Sequence, residues 1–248
     1  MRAMILAAGL GTRLRPLTND RPKALVEVGG RTMLEITLRR LASFGIREVI
    51  INVHHFADLV VDYLKKSANF DMRIEISREE VLLDTGGGLK KAAWFFLEGG
   101  AQDPFILHNV DVISTIDLAK MFAVHREMGA LATLAVQERE TSRYLLFDGN
   151  DRLCGRRTGR DGLSEMVRSS PKARALAFSG IHVISPHIFS GLTEDGVFSI
   201  IPAYLRLASL GEKVMAFPSD EYYWRDLGKP ESIAQVSRDV EEAVIRLD

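Results

Sequence analysis

The chain has 248 residues, enough for one large α/β domain or two small ones. Hydrophobic residues make up 46% and charged residues 26%, which permits a sizeable core and excludes wholesale disorder. With 32 Lys and Arg against 33 Asp and Glu the formal charge is −1, which argues against a protein that coats nucleic acid or an anionic membrane, so any anion site is local.

No stretch approaches the roughly 18 to 20 apolar residues that span a bilayer, and the N-terminus, with glycines close behind a short apolar run, has no signal-peptide pattern. The one cysteine, Cys154, forms no intramolecular disulfide and lacks a suggestive neighbour, so the expectation is an inert thiol in a reducing cytoplasm.

In chain order, the periodicity predicts a strand over Ala3–Ala8, a helix over Met33–Phe44, a strand over Glu48–Val53 and a helix over Ala57–Lys66. A strand over Met72–Ser77, a helix over Leu89–Leu97, a strand over Phe105–His108 and a helix near Leu118–Arg126 follow. This alternation predicts a Rossmann-like α/β fold, a mixed and mainly parallel sheet flanked by helices. Strands then come without helices between them, at Ala130–Val136, Tyr144–Phe147, Leu153–Gly155 and Ala175–Ile184, so the second half adds antiparallel strands. Arg156–Arg174, rich in Gly, Ser and Arg, is expected to be an exposed loop. The chain closes with the apolar segment Ser199–Ser209, a strand at Val214–Phe217 and a helix started by Pro230. No repeat or long linker divides it, so the reading is a single domain, 1–248, with residues 1–128 and 129–248 as its two halves.

The first strand runs into Leu6-Ala7-Ala8-Gly9-Leu10-Gly11-Thr12-Arg13-Leu14-Arg15-Pro16-Leu17-Thr18, followed by Arg21-Pro22-Lys23. Glycines at the carboxyl end of a first parallel strand let backbone N–H groups approach a phosphate. A dinucleotide fingerprint needs a third glycine where Leu14 stands, and an acid where Asn52-Val53-His54-His55 follows the second strand; no Walker Gly-Lys-Ser/Thr occurs either. What the segment does carry is charge: Arg13, Arg15, Arg21 and Lys23 face only Asp20, an imbalance suited to a triphosphate.

Phosphate transfer needs a cation, and Mg²⁺ is usually held by one or two carboxylates plus substrate. Phe105-Ile106-Leu107-His108-Asn109-Val110-Asp111 delivers Asp111 to the edge where ligands bind, and Trp224-Arg225-Asp226-Leu227-Gly228 supplies a second candidate, Asp226. Leu83-Asp84-Thr85-Gly86-Gly87-Gly88 opens a helix with three glycines, against which a flat base or ribose can lie.

The run from Leu6 to Leu25 resembles the signature of the sugar-1-phosphate nucleotidylyltransferases, Leu-Ala-Ala-Gly-x-Gly-Thr-Arg-Leu-x-Pro-x-Thr followed by Pro-Lys-x-Leu. The resemblance implies the nucleotide-diphospho-sugar transferase type of sheet and Mg²⁺-dependent transfer of a nucleoside monophosphate from a triphosphate to a sugar-1-phosphate. It implies nucleotide contacts from Ala7, Ala8, Gly9, Gly11, Thr12, Arg13, Lys23, Thr85, Gly86 and Gly87, with Arg13 and Lys23 acting in catalysis. It further implies Mg²⁺ ligands in Asp111 and Asp226, and sugar contacts from Asn109, Ser179 and Gly180, the last two in the matching Ser-Gly-Ile strand. The Leu-x-Thr-Gly-Gly-Gly form looks most like the N-acetylmuramate-1-phosphate uridylyltransferases of peptidoglycan recycling; guanylyltransferases for mannose or heptose phosphates, and a nucleotide-binding regulatory module, are the alternatives. The partners expected are a nucleoside triphosphate and a sugar-1-phosphate, with neither nucleic acid nor membrane, in a monomer or small homo-oligomer.

Two departures stand out. Val110 replaces the Gly that many relatives have before the first Asp, and the Glu-Lys-Pro motif of larger relatives is missing. Arg156, Arg157, Arg160, Arg168, Lys172 and Arg174, against Asp161 and Glu165, form either a solvated basic loop or a flap over the sugar phosphate. His54-His55 point to opposite faces of a strand and are expected to be structural. Trp94-Phe95-Phe96 is expected to pack the helix after the glycines.

Overall fold

The computed structural model describes residues 1–159 and 162–247; the expectations for Arg160 and Asp161 lie outside the described residues. In chain order its first elements are β1 Arg2–Leu6, β2 Glu27–Val28, β3 Arg31–Thr32, α1 Met33–Ser43, β4 Glu48–Val53, α2 Ala57–Lys66 and β5 Arg73–Arg78. Next come α3 Asp84–Lys91, α4 Ala93–Leu97, β6 Phe105–Asn109, β7 Val112–Ser114, α5 Leu118–Met128 and β8 Ala132–Gln137. The remainder is β9 Arg143–Phe147, β10 Leu153–Thr158, β11 Ser164–Met166, β12 Arg174–Ile184, α6 Ile188–Gly191, α7 Ile200–Ser209, β13 Val214–Pro218, β14 Trp224–Asp226 and α8 Pro230–Glu241. None of the described helices is long and apolar enough to cross a membrane.

Two compact units share these elements. The first comprises Met1–Leu83, Leu107–Thr115 and Tyr223–Asp248, and the second Asp84–Ile106 and Ile116–Tyr222.

In the first unit the strand order is β6-β1-β4-β5, with β1 and β5 both parallel to β4. Strands buried on both faces lose the polar alternation of half-exposed ones, and Ala3, Met4 and Ile5 are fully buried in succession. The register pairs Leu6 with Asn52 and Asn52 with Ser77, so β1, β4 and β5 end at one level. Helix α1 starts in a Thr32-x-x-Glu35 pattern whose Thr32 hydroxyl accepts the Glu35 N–H at 3.0 Å. Strand β1 stops at Leu6, two residues short of the sequence expectation, because the Ala7 N–H leaves the ladder for the Asn52 side chain.

The second unit carries the antiparallel strands expected of the second half: β12 pairs antiparallel with β8 and β9, and β9 with β10. Strand β13 runs parallel to β8. Helix α5 is capped by Asp117, whose carboxylate accepts the Lys120 N–H at 2.9 Å, and stops at Gly129 in the left-handed conformation.

Three expectations need correction here. The helix predicted from Leu89 begins at Asp84 and breaks into α3 and α4, because the Gly86 and Gly87 N–H groups find an acceptor in the Phe198 carbonyl and start the helix early. Arg156–Arg174 is not a plain loop: β10 continues through Thr158 and pairs with β11, matching Arg156 to Glu165. In Trp94-Phe95-Phe96 only the phenylalanines pack inward, Phe96 stacking on Phe105 with centroids 3.8 Å apart, while Trp94 stays 51% exposed.

Two buried histidines give the fold an acid sensitivity. Burial holds His108 and His125 down at about 4 against an ordinary 6.5. The unfolded chain therefore binds protons more readily, so stability is whole above about 6.5 and is lost as pH falls towards about 4, by up to roughly 1.4 kcal/mol per pH unit for each histidine. Urea titrations at pH 7 and pH 5 are expected to show a lower midpoint at pH 5; equal midpoints would contradict this assignment.

Candidate active site

The carboxyl edge of the first unit gathers most of the predicted residues. Ala7 and Ala8 are buried directly after β1, and Gly9 is open to solvent. Gly11 has φ 65°, a conformation natural to glycine, and an added Cβ would stand 3.0 Å from Thr18 and 3.2 Å from Lys23. The Thr18 hydroxyl donates to the Gly11 carbonyl at 2.8 Å and the Leu14 N–H to the same oxygen at 2.9 Å, closing the loop into a tight turn. Thr12 and Arg13 are exposed on it.

Lys23 is buried, and its ammonium pairs with Oδ2 of Asp111. Asp226 reaches the same place from the far end of the chain. Strand β14 pairs antiparallel with β7, setting Asp226 opposite Val112, and the Leu227 N–H donates to the Asp111 carbonyl at 2.8 Å. Oδ1 of Asp226 accepts the Gly228 N–H at 2.7 Å. A Cβ at Gly228 would lie 2.6 Å from that oxygen and 2.8 Å from an Arg13 guanidinium nitrogen. A side chain at this position would displace one or both of these groups, so glycine leaves room for Arg13 and Asp226 beside the turn.

Four charged groups, Arg13, Lys23, Asp111 and Asp226, thus converge at one strand edge. The donor set fits a hard cation: each aspartate uses one oxygen within the protein, Asp111 towards Lys23 and Asp226 towards Gly228, which leaves one oxygen on each. Among the described residues no third His, Cys, Asp or Glu joins them, so the remaining positions of such an ion fall to water or phosphate. Asn109, at the end of β6, is half-buried two residues before Asp111.

Other predicted residues stand elsewhere. Arg15 is exposed, and Arg21 is engaged by its neighbour Asp20 at 2.9 Å rather than by the cluster. Val110 is buried and its N–H donates to the Leu6 carbonyl at 3.1 Å, so the larger side chain faces the core. His54 behaves as the structural residue expected, its Nδ1 lying 2.8 Å from the Glu79 carbonyl. Cys154 is buried and burial pushes its thiol up, in keeping with an inert group.

Thr85, Gly86, Gly87, Ser179 and Gly180 belong to the second unit. The Thr85 hydroxyl accepts the Ile200 N–H at 3.0 Å, and the space that the missing Gly86 side chain creates is filled by Phe198. Ser179 and Gly180 sit where the β12–β8 register shifts between Phe178 and His182, with Gly180 at φ 75°. Such bulges re-aim the residues within them, and this one sits on the Ser-Gly-Ile motif. Sequence reasoning overlooked Glu79, a carboxylate 4% exposed just beyond β5. The available signal was an acid directly after a strand at the ligand-bearing edge.

The chain is similar to known proteins along most of its length. A family model described as nucleotidyl transferase matches residues 2–152, and the chain belongs to that family of enzymes. An N-acetylmuramate alpha-1-phosphate uridylyltransferase from Caulobacter vibrioides is 37% identical over 93% of both chains. A probable mannose-1-phosphate guanylyltransferase from Oryza sativa is 29% identical over 93% of this chain, which spans 62% of that relative's length. The structure of HddC from Yersinia pseudotuberculosis complexed with GMP-PN superposes with a TM-score of 0.75, covering 96% of this chain and 99% of that one at 24% identity. That likeness shows the shared fold, the mixed sheet flanked by helices that the sequence predicted. Within the family the chain stands among the sugar-1-phosphate nucleotidyltransferases.

Proposed function

We propose that the protein transfers a uridylyl group from UTP to N-acetylmuramate-1-phosphate in a Mg²⁺-dependent reaction that releases pyrophosphate. The observation that carries the substrate assignment is the likeness to the Caulobacter uridylyltransferase, which runs through 93% of both chains, whereas the rice guanylyltransferase is matched along only 62% of its length.

Arg13 and Lys23 bind the triphosphate in this reading, with the Gly9–Thr12 backbone approaching its oxygens. Asp111 and Asp226 hold the Mg²⁺, which when bound neutralises phosphate charge. The sugar-1-phosphate oxygen attacks the α-phosphorus directly, so the protein acts by orienting the two substrates and screening their charges. Lys23 exchanges its contact with Asp111 for a phosphate oxygen when the triphosphate arrives. Asn109, two residues before Asp111, contacts the sugar in this reading.

The test is pyrophosphate release with Mg²⁺, crossing the four common nucleoside triphosphates with the 1-phosphates of N-acetylmuramate, N-acetylglucosamine, mannose and heptose. UTP with N-acetylmuramate-1-phosphate is expected to be the productive pair. GTP with a mannose or heptose phosphate would replace the substrate assignment, and triphosphate binding without turnover of any pair would favour a regulatory module.

A further inference from the structure

Behind the glycine loop of the first unit lies a chain of hydrogen bonds that the proposed reaction does not use. Asn52, in β4, is 3% exposed and Glu79 is 4% exposed. Oδ1 of Asn52 accepts the Ala7 N–H at 2.7 Å, while its Nδ2 donates to Oε1 of Glu79 at 2.7 Å. Oε2 of Glu79 accepts the Leu83 N–H at 2.9 Å. The Glu79 backbone is itself fixed, its N–H donating to the Val53 carbonyl at 2.8 Å.

The two N–H groups served here lie just beyond regular structure. Ala7 follows the end of β1 and Leu83 precedes α3, so neither has a ladder or helical acceptor. A buried N–H without an acceptor is costly, and so is a buried carboxylate without donors; here each meets the other's need through one carboxamide. A network satisfied this fully allows little freedom in where its members stand.

We propose that Asn52 and Glu79 are positioning residues for nucleotide binding, which they serve by setting the backbone of Ala7 and Leu83. The proposal rests on the reading that Ala7 and Ala8 border the nucleotide. Neither side chain needs to touch substrate; moving the Ala7 peptide by a fraction of an ångström changes the approach of the whole loop that follows it.

The polarity of the chain makes a specific test. In Glu79→Gln, the new amide faces two donors, Nδ2 of Asn52 and the Leu83 N–H, so one donor meets another whichever way it turns. In Asn52→Asp, a carboxylate oxygen faces Oε1 of Glu79, and two acceptors meet. The double variant Asn52→Asp, Glu79→Gln reverses the middle bond: Gln donates to Asp, Asp still accepts from Ala7, and Gln Oε1 still accepts from Leu83. Side-chain volume and net charge are unchanged.

Each single variant is expected to raise KM for the nucleoside triphosphate by about tenfold with a smaller change in kcat, since one buried polar group loses its partner in each. The double variant is expected to return KM to within about threefold of the parent. Singles that lower Tm but leave KM unchanged would overturn the proposal, and so would a double variant as impaired as the product of the singles. Should the parent turn over no pair, the proposed function fails separately, and the same ladder is read as Kd for UTP and as amide exchange at Ala7 and Leu83. Faster exchange at both amides in the singles and recovery in the double supports the proposal; unchanged exchange overturns it.

Discussion

Replacing Asp111 by Asn is expected to lower kcat by about 10³-fold, or about 4 kcal/mol, while the protein remains folded. The loss follows from charge rather than shape. Asn keeps the side-chain volume but removes half of the carboxylate charge that Asp111 and Asp226 present together. Its carbonyl oxygen is a weaker ligand for a hard cation, and a triphosphate in the site then lacks its main counter-charge. The change also strips Lys23 of its partner, and Lys23 is only 8% exposed. A fall of a few degrees in Tm is therefore expected. Steady-state pyrophosphate release and a thermal melt of the same preparation separate the two effects. Activity within about threefold of the parent at saturating Mg²⁺ would overturn the proposed role of Asp111 as a metal ligand. Asp226→Asn is expected to produce a loss of similar size, because in the proposed reading a single cation is held by both aspartates and would depend on each.

How much of this was legible in the sequence depends on the range over which each feature is encoded. The alternation of short apolar runs with amphipathic helices gave the parallel layer of the first unit, since burial on both faces writes itself into consecutive residues such as Ala3-Met4-Ile5. The glycine loop was legible because Gly11 and the cluster of basic residues lie within one continuous segment. The meeting of Asp111 with Asp226 was not legible from spacing: 115 positions separate them, the pairing of β14 with β7 brings them together, and only the family resemblance linked them. Asn52 and Glu79 escaped as a pair for the same reason: the acid directly after a strand marks Glu79 alone, and nothing links it to a carboxamide in the preceding strand until the register sets them 2.7 Å apart. The hairpin that β10 forms with β11 was missed because β10 beyond Gly155 reads Arg-Arg-Thr and the exposed β11 reads Ser-Glu-Met, with no apolar alternation to mark either.

The triple glycine supplies the second large expected effect. Helix propensity alone makes Gly86→Ala favourable by roughly 1 kcal/mol, since Ala loses less backbone freedom. The structure reverses that sign: a Cβ on Gly86 would lie 2.3 and 2.5 Å from two ring carbons of Phe198 and 2.9 Å from its carbonyl oxygen. That carbonyl also accepts the Gly86 and Gly87 N–H groups at 3.0 and 3.1 Å, so Phe198 cannot retreat without breaking the bonds that start α3. The Thr85 hydroxyl pins the same segment through Ile200. Overpacking against two anchored backbones is expected to cost about 2 to 3 kcal/mol net, measured as a lower urea midpoint. Gly149→Ala is the control, because a Cβ there meets nothing within 4 Å and is expected to leave the midpoint nearly unchanged. Adding Phe198→Ala to Gly86→Ala is expected to recover only part of the loss, since the ring leaves but the carbonyl stays. Gly86→Ala as stable as the parent would mean that Phe198 moves freely, returning the space beside Gly86 to a ligand. Packing and nucleotide recognition are therefore separable at this glycine: stability reports on Phe198, and KM for the triphosphate reports on any base that lies against the segment.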